Sequence, residues 1–197
     1  MLHVGVCKKF NIRKVFENYS ELSELGSMKR SFTAEFIDQS VHRLQENTPK
    51  IQKCLHELTE QEVWQRPNPS SNSMGNIVIH LCGNITQYIL SSLGNTKDIR
   101  ERDKEFLAEG GYTRAELLEK LNTTVTNAVA VIRNLKDEEM LNVRSVQGHD
   151  LSAIGIILHV VEHYSYHTGQ VIFWTKLIKD KDLGFYSKVD LNKKNKI

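Results

Sequence analysis

Four stretches of the chain place apolar residues at every third or fourth position, which is the spacing of one face of an α-helix. They cover about 32–58, 73–93, 113–132 and 152–179. "TEQE" (59–62) and "TRAE" (113–116) mark helix starts, because the Thr and the Glu can each bond the other's backbone N–H. The pattern predicts an all-α protein, a four-helix bundle, over residues 28–180.

The segments between these stretches carry breaks and turn signals. Pro49 interrupts the first stretch and predicts a kink or a break in that helix. The polar run "TKDIRERDKEFLAEGG" (96–111) is a connection to which the pattern assigns no structure. "LNVRSVQGHD" predicts a short extended piece closed at Gly148, after which Asp150 or Ser152 caps the fourth helix.

Composition and charge indicate a cytoplasmic protein with one domain. The 197 residues include 26 Lys and Arg against 24 Asp and Glu, and this balance argues against nucleic acid as a partner. Three scattered cysteines favour a reducing compartment over a disulfide framework, and no apolar run is long enough to span a membrane. We expect residues 1–27 to be a poorly ordered extension and residues 181–197 a polar tail.

Three histidines stand four residues apart in "HVVEHYSYHTGQ", at His159, His163 and His167. Residues four apart on a helix differ by about 40° and lie one turn apart, so two such imidazoles can bind one metal ion. The outer two are about 12 Å apart along the axis, so all three cannot bind the same ion. Either adjacent pair needs a ligand from another helix. His80 is the candidate, because it lies mid-helix on an apolar face.

Ordinary hydrogen bonding is the alternative for each of these histidines. A single histidine on an apolar helix face is more often a hydrogen-bonded core residue than a metal ligand, and this applies to His80 taken alone. Buried neutral imidazoles need partners for both a donor and an acceptor, and a divalent ion would satisfy the acceptors. Cys82 lies two residues from His80, about 200° around the helix, and is not expected to coordinate.

Two segments together resemble the DinB-like (DinB/YfiT) superfamily of metal-dependent proteins. "SNSMGNIVIHLCGNITQYI" (71–89) contains the motif H-L-x-G-N, and "HVVEHYSYHTGQV" (159–171) contains H-x-x-x-H-x-G-Q. The run "RERDKEF" (100–106) and the segment "QRPNPSSNS" strengthen the match. The resemblance covers about residues 32–178 and is specific only when both motifs are taken together.

This resemblance implies an up-down-down-up bundle with a three-histidine site for a divalent metal. Its ligands fall on His80, His163 and His167, which leaves His159 as a core residue or a neighbour of the ligands. Asn84 and Gln170 each lie about one turn from a ligand, and they either assist at the site or bridge helices through hydrogen bonds. Zinc is the commonest fit to three nitrogens with an open position, and nickel, manganese and iron fit as well. Thr168 stands where the family often has arginine, so an anionic substrate would have to be held by another residue.

Two classes of function follow from the resemblance. Some members of the superfamily transfer or isomerise substrates with a low-molecular-weight thiol such as bacillithiol or mycothiol. This implies a metal-dependent enzyme with a small-molecule substrate or thiol as partner. The alternative is a non-catalytic metal-binding or stress-response binding module, whose metal would be closed off by four protein ligands. A homodimer is also expected, and Trp174, Leu177 and Ile178 belong either to its interface or to the core.

Overall fold

Helices make up most of the part of the chain that the computed structural model describes, residues 31–196. In chain order they are α1 (Phe32–Glu57), α2 (Glu60–Trp64), α3 (Met74–Ile85), α4 (Arg102–Leu107), α5 (Arg114–Arg133) and α6 (Ala153–Lys179). The long helices α1, α3, α5 and α6 form the bundle, which confirms the predicted all-α fold. The extension predicted for residues 1–27 lies outside the described residues.

Short polar side chains determine where these helices start. Thr59 and Thr113 each accept a bond from the backbone N–H of the Glu three residues later, and that Glu accepts from the backbone N–H of the Thr, as predicted. Of the two candidate caps for α6, Ser152 is the one used, because its hydroxyl accepts from the N–H of Gly155. Asp150 instead lies in the strand just before the helix.

Two helices depart from the regular winding that periodicity suggests. α1 is continuous through Pro49, so a break at this position does not occur. α3 passes directly into a π-helix, Thr86–Leu93. The N–H of Gly94 bonds the carbonyl of Ile89, five residues back, at 2.8 Å. The helical stretch predicted for residues 73–93 is therefore present, but its second half is wound more loosely.

The four long helices follow the up-down-down-up order implied by the resemblance. α1 and α3 each pack against both α5 and α6. α1 runs parallel to α6, while α3 runs parallel to α5 and antiparallel to α6. The contacts that fix these directions join Thr48 with Tyr164, Glu57 with Lys181, Cys82 with Thr124, Gly94 with Val131, His80 with His163, and Tyr88 with His159.

A small antiparallel hairpin joins α5 to α6. β1 (Val143–Val146) pairs with β2 (His149–Ser152) through a two-residue turn. Gln147 and Gly148 both have positive φ, 51° and 80°, which is the backbone that such tight turns require. The extended piece closed at Gly148 is thus confirmed as one strand of a hairpin.

The core lies between the four long helices, where the apolar stripes face one another. Trp174 and Ile178 are half-buried against this core, whereas Leu177 is 61% exposed. After α6, Leu183 is buried, and the residues from Ser187 to Lys196 are exposed. None of the helices described between residues 31 and 196 is both long and apolar enough to cross a membrane.

Candidate metal centre

Three histidines meet where α3 packs against α6. One ring nitrogen from each of His80, His163 and His167 lies within 4.8 Å of the others. The Nε2 atoms of His80 and His163 are 3.0 Å apart. The i,i+4 spacing on α6 sets the rings of His163 and His167 4.5 Å apart, and the antiparallel α3 brings His80 opposite them. The structure therefore brings together the three residues expected to be metal ligands.

Two of these rings are held by a hydrogen bond at the nitrogen that faces away from the group. Nδ1 of His80 lies 2.9 Å from Oε2 of Glu105. Nδ1 of His167 lies 2.7 Å from Oε1 of Gln170. Carboxylate and amide oxygens accept hydrogen bonds, so each Nδ1 acts as the donor, and in the neutral imidazole the Nε2 that faces the group carries the lone pair. A bond of this kind fixes the tautomer and the ring orientation that a metal ligand needs.

Glu105 is in turn held by an ion pair with Arg100. Nε of Arg100 donates to Oε1 at 2.7 Å and Nη2 donates to Oε2 at 2.8 Å, and both side chains are buried. Burial alone would raise the pKa of Glu105, but the bonds from Arg100 and His80 outweigh it and hold the pKa below its usual value. The carboxylate is therefore ionised, and the neighbouring guanidinium balances its charge.

Glu105 and Arg100 are site residues that sequence reasoning missed. They lie in the polar run 96–111, to which periodicity assigned no structure, and Glu105 is on α4. The run "RERDKEF" was the available signal, because it is part of the resemblance, but it indicated no role for either residue. Gly83 of the H-L-x-G-N motif makes room for them, since a Cβ there would overlap Oε1 of Glu105 and lie 3.0 Å from Nε of Arg100.

The surroundings of His163 favour a cation between the rings. Burial, followed by the nearby charges of other histidines and Arg100, lowers the pKa of His163 to about 3. Burial also lowers the pKa of His167, partly opposed by the bond to Gln170. Among the described residues Nδ1 of His163 has no partner. The Nε2 atoms of His80 and His163 are 3.0 Å apart, a contact that is favourable only with a proton or a metal ion between them. Neutral imidazoles and a shared divalent ion fit this arrangement.

The remaining expected residues lie one turn along from the three ligands. Nδ2 of Asn84 and Nε2 of His159 are 3.2 Å apart, and the His159 ring stacks on Tyr88 with centroids 4.1 Å apart. His159 lies outside the metal-ligating group found among residues 31–196. Burial lowers the pKa of His159, which favours its neutral form. The structure thus pairs His163 with His167, rather than with His159, in the candidate site.

Two further residues point away from the site. The Cys82 thiol bonds to Thr124 on α5, and burial raises its pKa to about 11. Thr168, which stands where the family often has arginine, is buried, and its hydroxyl donates to the carbonyl of Tyr164. Neither side chain is placed to bind the ion or an anionic substrate.

Comparison with known structures supports the fold. The chain is similar to a DinB-like protein from Bacillus cereus ATCC 10987, with 17% identity, a TM-score of 0.57, and coverage of 77% of this chain and 95% of that chain. A DinB-like protein from Bacillus subtilis has 16% identity and a TM-score of 0.59, with coverage of 75% of this chain and 96% of that chain. A conserved protein from Enterococcus faecalis has 14% identity and a TM-score of 0.61, with coverage of 73% of this chain and 97% of that chain. At these identities the likeness shows the fold alone.

Comparison with curated protein sequences finds no match. The sequence profile of a family described as "Protein of unknown function (DUF1572)" matches residues 31–189, which include helices α1 to α6 and the hairpin. The chain belongs to the DUF1572 family, and it shares the fold of a helical bundle with the DinB-like structures.

Proposed function

We propose that this protein is a metal-dependent enzyme that transfers a low-molecular-weight thiol to a small electrophile. The observation that carries the proposal is the convergence of His80, His163 and His167, with one ring nitrogen from each within 4.8 Å of the others. Zinc is the first choice for a divalent ion at this position, because zinc commonly binds three nitrogen ligands and keeps one coordination position open. Nickel, manganese and iron suit the same ligands.

An open coordination position separates an enzyme from a structural metal site. The ligating group found among residues 31–196 contains three residues, and the nearby Cys82 and His159 are bonded to Thr124 and Asn84. A closed structural site has four protein ligands. Three ligands therefore favour the enzyme over the non-catalytic binding module.

The chain's own residues would prepare the site for this chemistry. Glu105 and Gln170 orient two of the imidazoles, and Arg100 balances the charge of Glu105. Three neutral ligands leave the double positive charge of the ion intact, and this charge favours the deprotonated form of a thiol or a water. In the transfer, the thiol releases its proton to solvent and its sulfur forms a bond to carbon. The leaving group departs with the electron pair of the broken carbon bond.

Metal content tests the site. We expect protein purified without added metal to contain about one divalent ion per chain by elemental analysis. The variants His80→Ala, His163→Ala and His167→Ala should lose most of it, while circular dichroism reports whether each remains folded. Unchanged metal content in all three folded variants would refute the assignment.

Turnover tests the reaction. The zinc-loaded protein is mixed with 1-chloro-2,4-dinitrobenzene and, in separate reactions, cysteine, glutathione and bacillithiol. We expect release of chloride and formation of the thioether with at least one thiol, and loss of both in the metal-free protein. Metal binding without turnover for any of these thiols would favour the binding module instead.

A further inference from the structure

We propose that a cavity beside the three histidines binds an uncharged, apolar or aromatic ligand that carries one hydrogen-bond acceptor. The cavity has a volume of about 510 Å³, within the usual range for small-molecule sites. It lies between α6, the start of α3 and the loop before α3, and we call it the Trp174 cavity after one of its lining residues. That this ligand is the substrate rests on the proposed function, whereas its binding does not.

The position of the cavity links it to the candidate metal centre. Gln170 lines the cavity, and its Oε1 also accepts from Nδ1 of His167 at 2.7 Å. Ile77, which also lines it, lies three residues before His80 on α3. None of the three histidines lines the cavity itself, and Gln170 is the residue that contacts both the cavity and the ring of His167.

None of the residues that line the cavity carries a charge. Pro67, Ile77, Phe173, Trp174 and Leu177 provide apolar surface, and the other lining side chains are neutral Ser, Asn and Gln. A charged group moved from water into such a wall would lose its hydration without gaining a partner. The wall therefore selects against ions.

Two of the apolar residues in the wall are largely exposed. Phe173 is 69% exposed and Leu177 is 61% exposed, and the two lie four residues apart on one face of α6. Together with Trp174 they form an apolar patch at a concave site, which is typical of a binding surface. Covering this patch would give an apolar ligand most of its affinity.

Trp174 adds a directional requirement. Its Nε1 is buried and has no hydrogen-bond partner in the described part of the chain. Leaving a buried donor unpaired costs about 1–3 kcal/mol, which a carbonyl or ether oxygen on a ligand would relieve. The other tryptophan, Trp64, already donates from Nε1 to the carbonyl of Tyr112 at 3.1 Å. One of the two indoles is thus free to respond to a ligand.

Indole N–H resonances provide a direct test on the whole, ¹⁵N-labelled protein. The chain contains two tryptophans, so two indole signals are expected, and Trp174→Phe assigns them. The probes are acetophenone, which has a ring and one acceptor, ethylbenzene, which lacks the acceptor, and benzoate, which is anionic. We expect acetophenone to shift the Trp174 signal saturably and leave that of Trp64 in place. Benzoate should bind at least tenfold more weakly, and ethylbenzene should bind without the downfield shift of a hydrogen-bonded N–H.

Matched variants separate the cavity from general surface effects. Leu177→Glu places a charge in the lining and should weaken acetophenone binding at least fivefold. Leu158→Glu changes a similarly exposed leucine of α6 that does not line the cavity, and should leave binding unchanged. Trp174→Phe should weaken acetophenone binding at least threefold and ethylbenzene binding less than twofold. Ligand-observed NMR measures both affinities.

Each outcome bears on one proposal. Benzoate binding as tightly as acetophenone, no saturable shift, or equal effects of the two leucine variants would overturn the cavity proposal. The titrations are run with and without one equivalent of zinc, and zinc content is measured in the same samples. Selective acetophenone binding in a protein that binds no zinc would sink the proposed metal enzyme while the cavity stands. Zinc binding without selective acetophenone binding would sink the cavity alone.

Discussion

Glu105 links the candidate metal centre to the rest of the molecule through one buried carboxylate. Its oxygens accept from His80 on one side and from Arg100 on the other, and the side chain is 7% exposed. An ionised acceptor behind an imidazole raises the basicity of the opposite nitrogen, which increases its strength as a metal ligand. The ion pair with Arg100 keeps the carboxylate charged in spite of burial. Glu105 is therefore a positioning residue that acts through His80.

Glu105→Gln tests this role, because the amide keeps the shape of the side chain and loses its charge. We expect zinc affinity, measured by competition with a chromophoric chelator, to fall about 10–100-fold. The matched control is Glu101→Gln. Glu101 lies on the same segment, and its carboxylate pairs with Lys104 at the surface. It should change affinity less than twofold, and equal affinities for the two folded variants would contradict the role given to Glu105.

His163 makes the stability of the metal-free protein depend on pH. Its pKa is about 3 in the folded protein, mainly because of burial, against about 6.5 in the unfolded chain. As pH falls below about 6.5, the unfolded chain takes up a proton at this residue and the folded protein does not. The contribution to the free energy of unfolding is thus present above pH 6.5 and is lost towards pH 3, at no more than about 1.4 kcal/mol per pH unit.

Urea unfolding at pH 7, 6 and 5 measures this dependence. The neighbouring groups whose charges also lower the pKa of His163 are His80, His159, His167 and Arg100. His163→Gln removes one titrating group and should flatten the fall in free energy of unfolding between pH 6.5 and 5. The same slope in the variant and in the wild type would show that burial of His163 does not control this range.

On the scale of whole elements, α3 and α6 each carry a glycine beside the histidines, for different reasons. A Cβ at Gly83 would overlap Glu105, so this glycine allows α4 to approach α3 closely. A Cβ at Gly169 would meet nothing within 4 Å. Both glycines lie inside helices, where glycine costs about 1 kcal/mol relative to alanine.

The two glycines therefore give a matched pair of substitutions. Gly169→Ala should raise the free energy of unfolding by up to about 1 kcal/mol, because helix propensity is the main term. Gly83→Ala should lower it despite the same gain in propensity, because the Glu105–Arg100 pair must move. Urea unfolding of both variants measures the contrast. A Gly83→Ala protein as stable as the wild type would show that α4 adjusts without cost.

The same elements show which parts of the fold and the site are readable from sequence. Capping boxes and periodicity located the long helices, and the four-residue spacing put His163 and His167 on one face, because these signals act within one helix. The position of Glu105 opposite His80 depends on a contact across 25 residues and on the small volume of Gly83. Its sequence context, a run of charges, is the same as that of a solvated loop. The winding of the π-helix also leaves the apolar pattern nearly unchanged, so periodicity did not reveal it.

On the scale of the whole molecule, the antiparallel packing of α3 on α6 joins two parts of the chain that lie 83 residues apart. A metal ion bound to His80 and to α6 would therefore stabilise the tertiary structure, and not one helix alone. Because such a site is absent from the unfolded chain, binding free energy adds to folding free energy. The stability of the bundle can therefore be used to identify the histidines that bind the ion.

Thermal unfolding with and without zinc makes this measurement. At a free zinc concentration of about 100 times Kd the folded state gains about 2.7 kcal/mol, which corresponds to a rise in Tm of roughly 5–11 °C for a domain of this size. His167→Ala should abolish most of the rise. His159→Ala, on the same helix and also half-buried, should keep it, because that ring pairs with Asn84 rather than with the other ligands. The reverse pattern would assign the ion to His159 and His163, and a rise that survives both substitutions would place it elsewhere on the protein.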